Sequence, residues 1–229
     1  MKILITGASG FIGSFLCEEG LKRGMETWAG MREHSSRRWL QDERLNFAFL
    51  DMTRPEVLHE QLAAYKRKVG KWDVVIHAAG ATKCLHKEDF DKANYECTKN
   101  LVTGLDALEM MPSQFLYVSS LSVLGPVREE MKDGDYEEML SSDEPQPNTA
   151  YGRSKVKSEK WLHVPFTMYN VQFGDKRSAI NEQATTNNEQ ATTNDKQTTI
   201  NKQATLTHPL NYTIFRPTGC MDQGRRITT

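Results

Sequence analysis

The chain has 229 residues, a formal net charge of −1 and a hydrophobic share of 38%. That length accommodates one α/β domain and at most part of a second, and the near balance of charge excludes a general electrostatic affinity for nucleic acid. Four cysteines (Cys17, Cys84, Cys97 and Cys220) form no C-x-x-C pair and have no histidine at a zinc-like spacing, so no disulfide framework and no metal site are expected, and a reducing cytoplasm is the simplest setting.

The apolar run Ile3-Leu4-Ile5 is far too short for a secretion signal or a membrane span. Residues 2–6 read instead as a short strand buried on both faces and closed by Gly7. From Phe11 to Arg23 the period becomes helical, with Phe11, Phe15 and Leu16 on one face and Glu18, Glu19 and Lys22 on the other, and Gly24 ends the helix. Residues 25–32 predict a second strand and Leu45 to Leu50 a third. Pro55 opens a helix that runs to Lys68. Asp73 to His77 is the fourth strand, Asp89 to Met110 a long helix, Gln114 to Ser119 the fifth strand, and Tyr151 to Leu162 a further helix. Strands alternating with helices over short connections predict a doubly wound parallel α/β sheet, a Rossmann fold.

The composition then changes. Residues 181–187 are repeated letter for letter at 188–194 and loosely at 195–201, and no aromatic residue occurs from Ser178 to Thr207. Such a tract cannot offset its ordering entropy by burial, so residues 164–209 are expected to form a disordered, low-complexity insertion after a domain spanning 1–163. Asn211 to Pro217 is the expected sixth strand, within a returning segment 210–219; residues 163–173 are its rival.

The turn Thr6-Gly7-Ala8-Ser9-Gly10-Phe11-Ile12-Gly13 lies between a strand and a helix. Gly7 permits the tight turn, Gly10 lets a pyrophosphate approach the backbone, and Gly13 lets helix and strand pack closely. The free N–H groups and dipole of the helix then favour phosphate. Cofactor choice turns on the end of the second strand. Arg32 suits a 2′-phosphate and favours NADP, whereas Glu33 lies near the position of an acid that would bind the ribose of NAD.

Taken in order, the motifs resemble extended short-chain dehydrogenases/reductases of the NAD-dependent epimerase/dehydratase family, including its dihydroflavonol-reductase-like branch. They are Gly7-x-x-Gly10-x-x-Gly13, Asp51-Met52, His77-Ala78-Ala79-Gly80, Asn94, Ser119-Ser120 with Gly125, Tyr151-x-x-x-Lys155 and Arg216-Pro217-Thr218-Gly219. The resemblance implies Tyr151 as general acid/base, Lys155 holding the nicotinamide ribose, and Ser120 (with Ser122 as the alternative) bonding the substrate oxygen. A free phenol titrates near pH 10, and a neighbouring lysine ammonium is expected to lower that value; spacing i, i+4 puts Tyr151 and Lys155 on one helix face. The resemblance also sets Asp51 and Met52 near the adenine, Ala78, Ala79 and Gly80 along the cofactor, Asn94 in support and Pro217 beside the nicotinamide. His77 reads as a satisfied structural histidine.

The resemblance further implies a small-molecule substrate such as a nucleotide sugar, and dimerisation through the helices bearing Asn94 and Tyr151. An NADPH-dependent carbonyl reductase and a non-catalytic nucleotide-binding module are the competing readings. After Gly219 the family pattern breaks. One set of codons for residues 219–228, read one base off, translates as Val-Tyr-Gly-Pro-Arg-Glu-Thr-Asp-Tyr, the family's usual continuation. Residues 220–229 are therefore expected to be a frameshifted tail, with the C-terminal substrate domain missing and turnover correspondingly poor.

Overall fold

The computed structural model describes residues 1–126, 139–140, 142–173 and 210–217. Six strands, β1 (Lys2–Thr6), β2 (Glu26–Met31), β3 (Asn46–Phe49), β4 (Val74–His77), β5 (Gln114–Val118) and β6 (Tyr212–Phe215), form one sheet in the order β3-β2-β1-β4-β5-β6. Every pairing is parallel. Four α-helices connect them: α1 (Phe11–Lys22), α2 (Pro55–Val69), α3 (Cys97–Ala107) and α4 (Ala150–Phe173). The doubly wound parallel sheet expected from the alternation is thus present, and the later of the two candidate segments forms the sixth strand.

Strand alternation divides the core. Ile3 and Ile5 point to the face covered by α1, where they meet Cys17 and Leu21. Leu4 points the other way and joins Trp28, Val75 and Phe115 under α2, α3 and α4. Leu4 and Ile5 are both wholly buried; each such side chain contributes roughly 2 kcal/mol by leaving water. Trp28, Tyr65 and Trp72 meet mostly edge to face, with ring centres about 6 Å apart, and close the outer end of this core.

Two elements differ from expectation. The helix anticipated from Asp89 to Met110 begins with a wide π turn, Asp91–Glu96, before α3 proper. A π turn inserts one extra residue into the helical path and re-aims the side chains around it; here it turns Asn94 into the protein, where it is buried. The last helix does not stop at Leu162: α4 runs to Phe173, so residues 164–173, grouped by composition with the low-complexity insertion, are helical. No glycine occurs between Gly152 and Gly174, and the strongest breaker in between, Pro165, does not end the helix. The rest of that insertion, including the repeats, and the expected aberrant tail 220–229 lie outside the described residues. Among the described residues no helix is long and apolar enough to cross a membrane.

Candidate functional site

In an open parallel sheet the strand order reverses where two neighbouring strands send their crossovers to opposite faces, and ligands bind at the carboxyl ends there. In this sheet β1 and β4 are those strands. Gly7 leaves β1 with φ +69°, and a Cβ at that position would lie 2.6 Å from the backbone of Ala79, beyond β4. A side chain at Gly13 would run into the Gly7 carbonyl. Gly10 donates its N–H to the Gly7 carbonyl at 2.9 Å and precedes α1, which opens without a side-chain cap and without an acidic residue in its first turn. The helix thus presents uncapped backbone donors at Phe11, Ile12 and Gly13 on the carboxyl side of the sheet.

A cleft of about 290 Å³ lies over this turn, lined by Gly7, Ser9, Gly10, Met31, Arg32, Ser35, Leu50, Met52, Thr53, Ala78 to Ala81, Ala93 and Cys97. Arg32, exposed at the end of β2, also borders a neighbouring hollow with Glu33, His34, Asp51 and Arg54. Glu33 borders only that outer hollow. Asp51 accepts from the Thr53 hydroxyl at 2.5 Å and pairs with Arg54 at 2.6 Å, and the Thr53 bond, with Arg54 behind it, holds its carboxyl below the usual range. Asn100 fixes the Met52 carbonyl at 2.9 Å. Burial pushes the Cys97 thiol up to about 11, which leaves it a poor nucleophile at neutral pH.

The second half of the site sits at the ends of β5 and β6. Ser120 caps the short turn Leu121–Val123: its hydroxyl accepts from the Ser122 N–H at 3.2 Å and donates to the Ser122 hydroxyl at 3.1 Å. The start of α4 docks directly on this turn, since a Cβ at Gly152 would strike the Ser122 carbonyl, and Thr149 caps the helix by accepting from the Gly152 N–H at 2.9 Å. Tyr151 is half-buried, with its ring 6.0 Å from that of Phe90. Burial raises its pKa, and the adjacent Ser120 hydroxyl partly offsets the rise.

The expected lowering of Tyr151 by Lys155 is therefore corrected. The amine of Lys155 turns away from the phenol, donates to the Val118 carbonyl at 2.8 Å, and lies 4.5 Å over the ring of Tyr117. Lys155 is 4% exposed, and burial brings its pKa down to about 8 against the opposing pull of Glu159. Glu159, one further turn along α4, forms a two-pronged ion pair with Arg216 at 3.1 and 2.7 Å, which fastens the end of β6 to α4. Pro217 follows directly, half-buried on the same edge.

Asn94 does not line the cleft. Its carbonyl oxygen accepts from the Ala81 N–H at 2.8 Å, and its amide donates to the Ala81 carbonyl at 3.1 Å and to Ser154 at 2.9 Å. It binds the loop after β4 to α4 from beneath. His77 is sealed in a row: its Nδ1 meets the Thr6 hydroxyl at 2.7 Å and its Nε2 the Thr98 hydroxyl at 3.0 Å, while Thr98 donates to the Asn94 carbonyl at 2.6 Å. Because Thr98 gives its proton to Asn94, the directions of these bonds assign the neutral Nε2–H tautomer. Burial, with the charge of Lys155, lowers His77 to about 3, consistent with a structural histidine.

Tyr117 and Glu159 were missed by sequence reasoning. Glu159 had a signal: it stands four residues after Lys155, hence on the same helix face. Among the described residues no group of His, Cys, Asp and Glu side chains is placed to hold a metal ion.

Comparison with known proteins agrees with this architecture. Residues 3–174 match the NAD dependent epimerase/dehydratase family. The chain is 29% identical over 190 residues to an uncharacterized UDP-glucose epimerase, YtcB, of Bacillus subtilis (strain 168), covering 76% of this chain and 53% of that protein. It is 30% identical over 138 residues to the chloroplastic divinyl chlorophyllide a 8-vinyl-reductase of Arabidopsis thaliana, covering 56% and 31%. The chain thus spans about half the length, or less, of these curated relatives. Among solved structures, the UDP-Glc/GlcNAc 4-epimerase of Campylobacter jejuni superposes with a TM-score of 0.60 at 23% identity, covering 75% of this chain and 50% of that one. The UDP-glucose 4-epimerase of Thermus thermophilus in complex with NAD gives 0.58 at 24%, covering 76% and 52%. These likenesses show the same fold, and with the match over residues 3–174 they settle the family: the chain belongs to the NAD dependent epimerase/dehydratase family.

Proposed function

We propose that this chain binds a nicotinamide dinucleotide across the β1–β4 cleft and serves an oxidoreductase reaction at a hydroxyl- or carbonyl-bearing carbon, with Tyr151 as the acid/base. The observation that carries the reading is the convergence of Ser120, Tyr151 and Lys155 at the end of β5, beside a cleft floored by Gly7, Gly10 and Ala78 to Gly80. The cleft fits such a cofactor because a Cβ at Gly7 would fill the space against Ala79 and because α1 offers uncapped donors to a pyrophosphate. When bound, the dinucleotide supplies the hydride acceptor or donor.

The chain's own residues then do the rest. Tyr151, whose raised pKa keeps the proton on its Oη at neutral pH, gives that proton to a substrate oxygen in reduction and recovers it in oxidation. Ser120 bonds the same oxygen and sets its distance from Tyr151. Lys155 approaches the ribose from beneath Gly80, the Cβ position of which lies 3.6 Å from its amine. Arg32 reaches the 2′ position of the adenosine ribose and favours NADP over NAD, with Asp51 and Met52 flanking the adenine. Nucleotide sugars are the substrate class suggested by the names of the relatives. Arg32 also favours a second reading, an NADPH-dependent carbonyl reductase.

The test is a fluorescence titration with NADPH and NADH, paired with turnover of UDP-glucose and of a carbonyl substrate. NADPH is expected to bind about tenfold more tightly than NADH, and R32A to erase that difference. Y151F is expected to lower turnover roughly a hundredfold or more with binding unchanged. Equal or tighter binding of NADH overturns the assignment of Arg32, and undiminished turnover in Y151F overturns that of Tyr151.

A further inference from the structure

The ammonium of Lys155 is unusually placed for a charged group. It is 4% exposed, and its hydrogen-bond acceptor among the described residues is the Val118 carbonyl at 2.8 Å. The groups facing it come from three elements. From α4 come Glu159, already engaged by Arg216, and Tyr151. From β4 comes His77, neutral in its row of hydroxyls. From β5 comes Tyr117, whose ring centre lies 4.5 Å from Nζ. Of these groups the ring of Tyr117 is the one that presents negative potential to the amine at short range, because the carboxylate of Glu159 is spent on the guanidinium.

We infer that Tyr117 is a positioning residue: its aromatic face is the seat on which the Lys155 ammonium rests. The inference deepens the proposed function and rests on its assignment of Lys155. Two further observations favour the ring over the hydroxyl as the working part. Tyr117 is wholly buried and stacked on His77 at 5.8 Å, so the ring cannot tilt away from the lysine. Its hydroxyl, next to Thr98 and Ser158, is buried and finds no hydrogen-bond partner among the described residues. A hydroxyl kept in such a place contributes nothing by bonding. A ring beneath a desolvated cation, by contrast, supplies attraction from its quadrupole, and it leaves the Nζ protons directed at Val118 and the cleft.

The test separates the ring from the phenol and from mere packing. Lysines are labelled with 13C at Cε in the full chain, and the Lys155 signal, assigned by its disappearance in K155M, is followed from pH 6 to pH 11. Y117L and Y117M remove the aromatic face; Y117F retains it. In both aliphatic variants the Lys155 midpoint is expected to fall by about one pH unit, and NADPH affinity at pH 7 to drop about fivefold to tenfold. Y117F is expected to restore both. An unchanged midpoint in Y117L and Y117M, or a Y117F midpoint displaced as far as theirs, overturns the inference. The titration is read without cofactor, so it decides the role of the ring even if K155M binds NADPH as well as the wild type does. That last result would overturn the proposed role of Lys155 instead.

Discussion

The two halves of the site are built from different materials. Around β1, β2 and α1 the walls are backbone: three glycines, a helix end and the carbonyl of Gly7, with side chains contributing mainly at the rim through Arg32 and Met52. At the ends of β5 and β6 the working parts are side chains, and they are buried: Lys155, Glu159 and Asn94 are each no more than 5% exposed. A backbone wall has fixed shape and partial charges, so it tolerates changes of pH and fails only when atoms collide. A buried constellation of charges holds only while every partner is present, and its members exchange protons with the medium.

The sharpest contrast is expected from R216A. Removing the guanidinium strands Glu159, whose side chain is 6% exposed, without its partner. A loss of about 3 kcal/mol in a urea unfolding curve is expected, together with loosening of β6. A loss below about 1 kcal/mol would mean that the pair behaves as a surface contact and that the second half depends little on buried charge. Somewhat smaller is the effect of G13A, in which the added methyl meets the Gly7 carbonyl. About 2 kcal/mol of stability is expected to go as α1 is pushed from β1, and nucleotide affinity is expected to fall with it at every pH. Nucleotide binding that survives G13A unchanged would break the claim that this wall is rigid.

The smallest expected effect has the opposite sign. Burial lowers Lys155 from 10.5 to about 8, so below pH 8 the folded state carries an ammonium that the unfolded chain would solvate better. Between pH 8 and 10.5 the unfolded state binds more protons, and stability contributed by this group rises with pH. K155M is therefore expected to be more stable than the wild type at pH 7, by about 1–2 kcal/mol, with the gap closing as the pH approaches 10.5. Parallel urea midpoints for the two proteins from pH 7 to pH 10 would contradict this and place the amine in contact with water.

The same division explains what could be read from the sequence. The strand–turn–helix unit at Gly7, Gly10 and Gly13 is local: backbone constraints show up as residue types at fixed short spacing, and both the strands and their parallel order followed from periodicity. Choosing Asn211 to Pro217 over residues 163–173 for β6 succeeded because β-branched and aromatic residues there precede a proline. What escaped was non-local. Arg216 and Glu159 are partners across 57 positions, and no pattern in either segment announces the other. Lys155 was correctly placed on the face of Tyr151, but the direction of its amine depends on Val118 and Tyr117, which belong to another element. The π turn was likewise hidden, because its sequence is as compatible with an ordinary helix, and only the pull of Ala81 and Ser154 on Asn94 gives the wider turn a reason.

The row from Thr6 through His77 and Thr98 to Asn94 makes the imidazole a natural probe. Its Nε2 proton is enclosed by a fully buried ring and a hydroxyl that faces inward, so it trades with solvent only when β1, β4 and α3 part. In a proton spectrum it would persist as a slowly exchanging downfield line long after surface imidazole signals have vanished. The rate at which that line fades in deuterated water is then a clock for the opening of the crossover point itself, the one place in the sheet where both halves of the site meet.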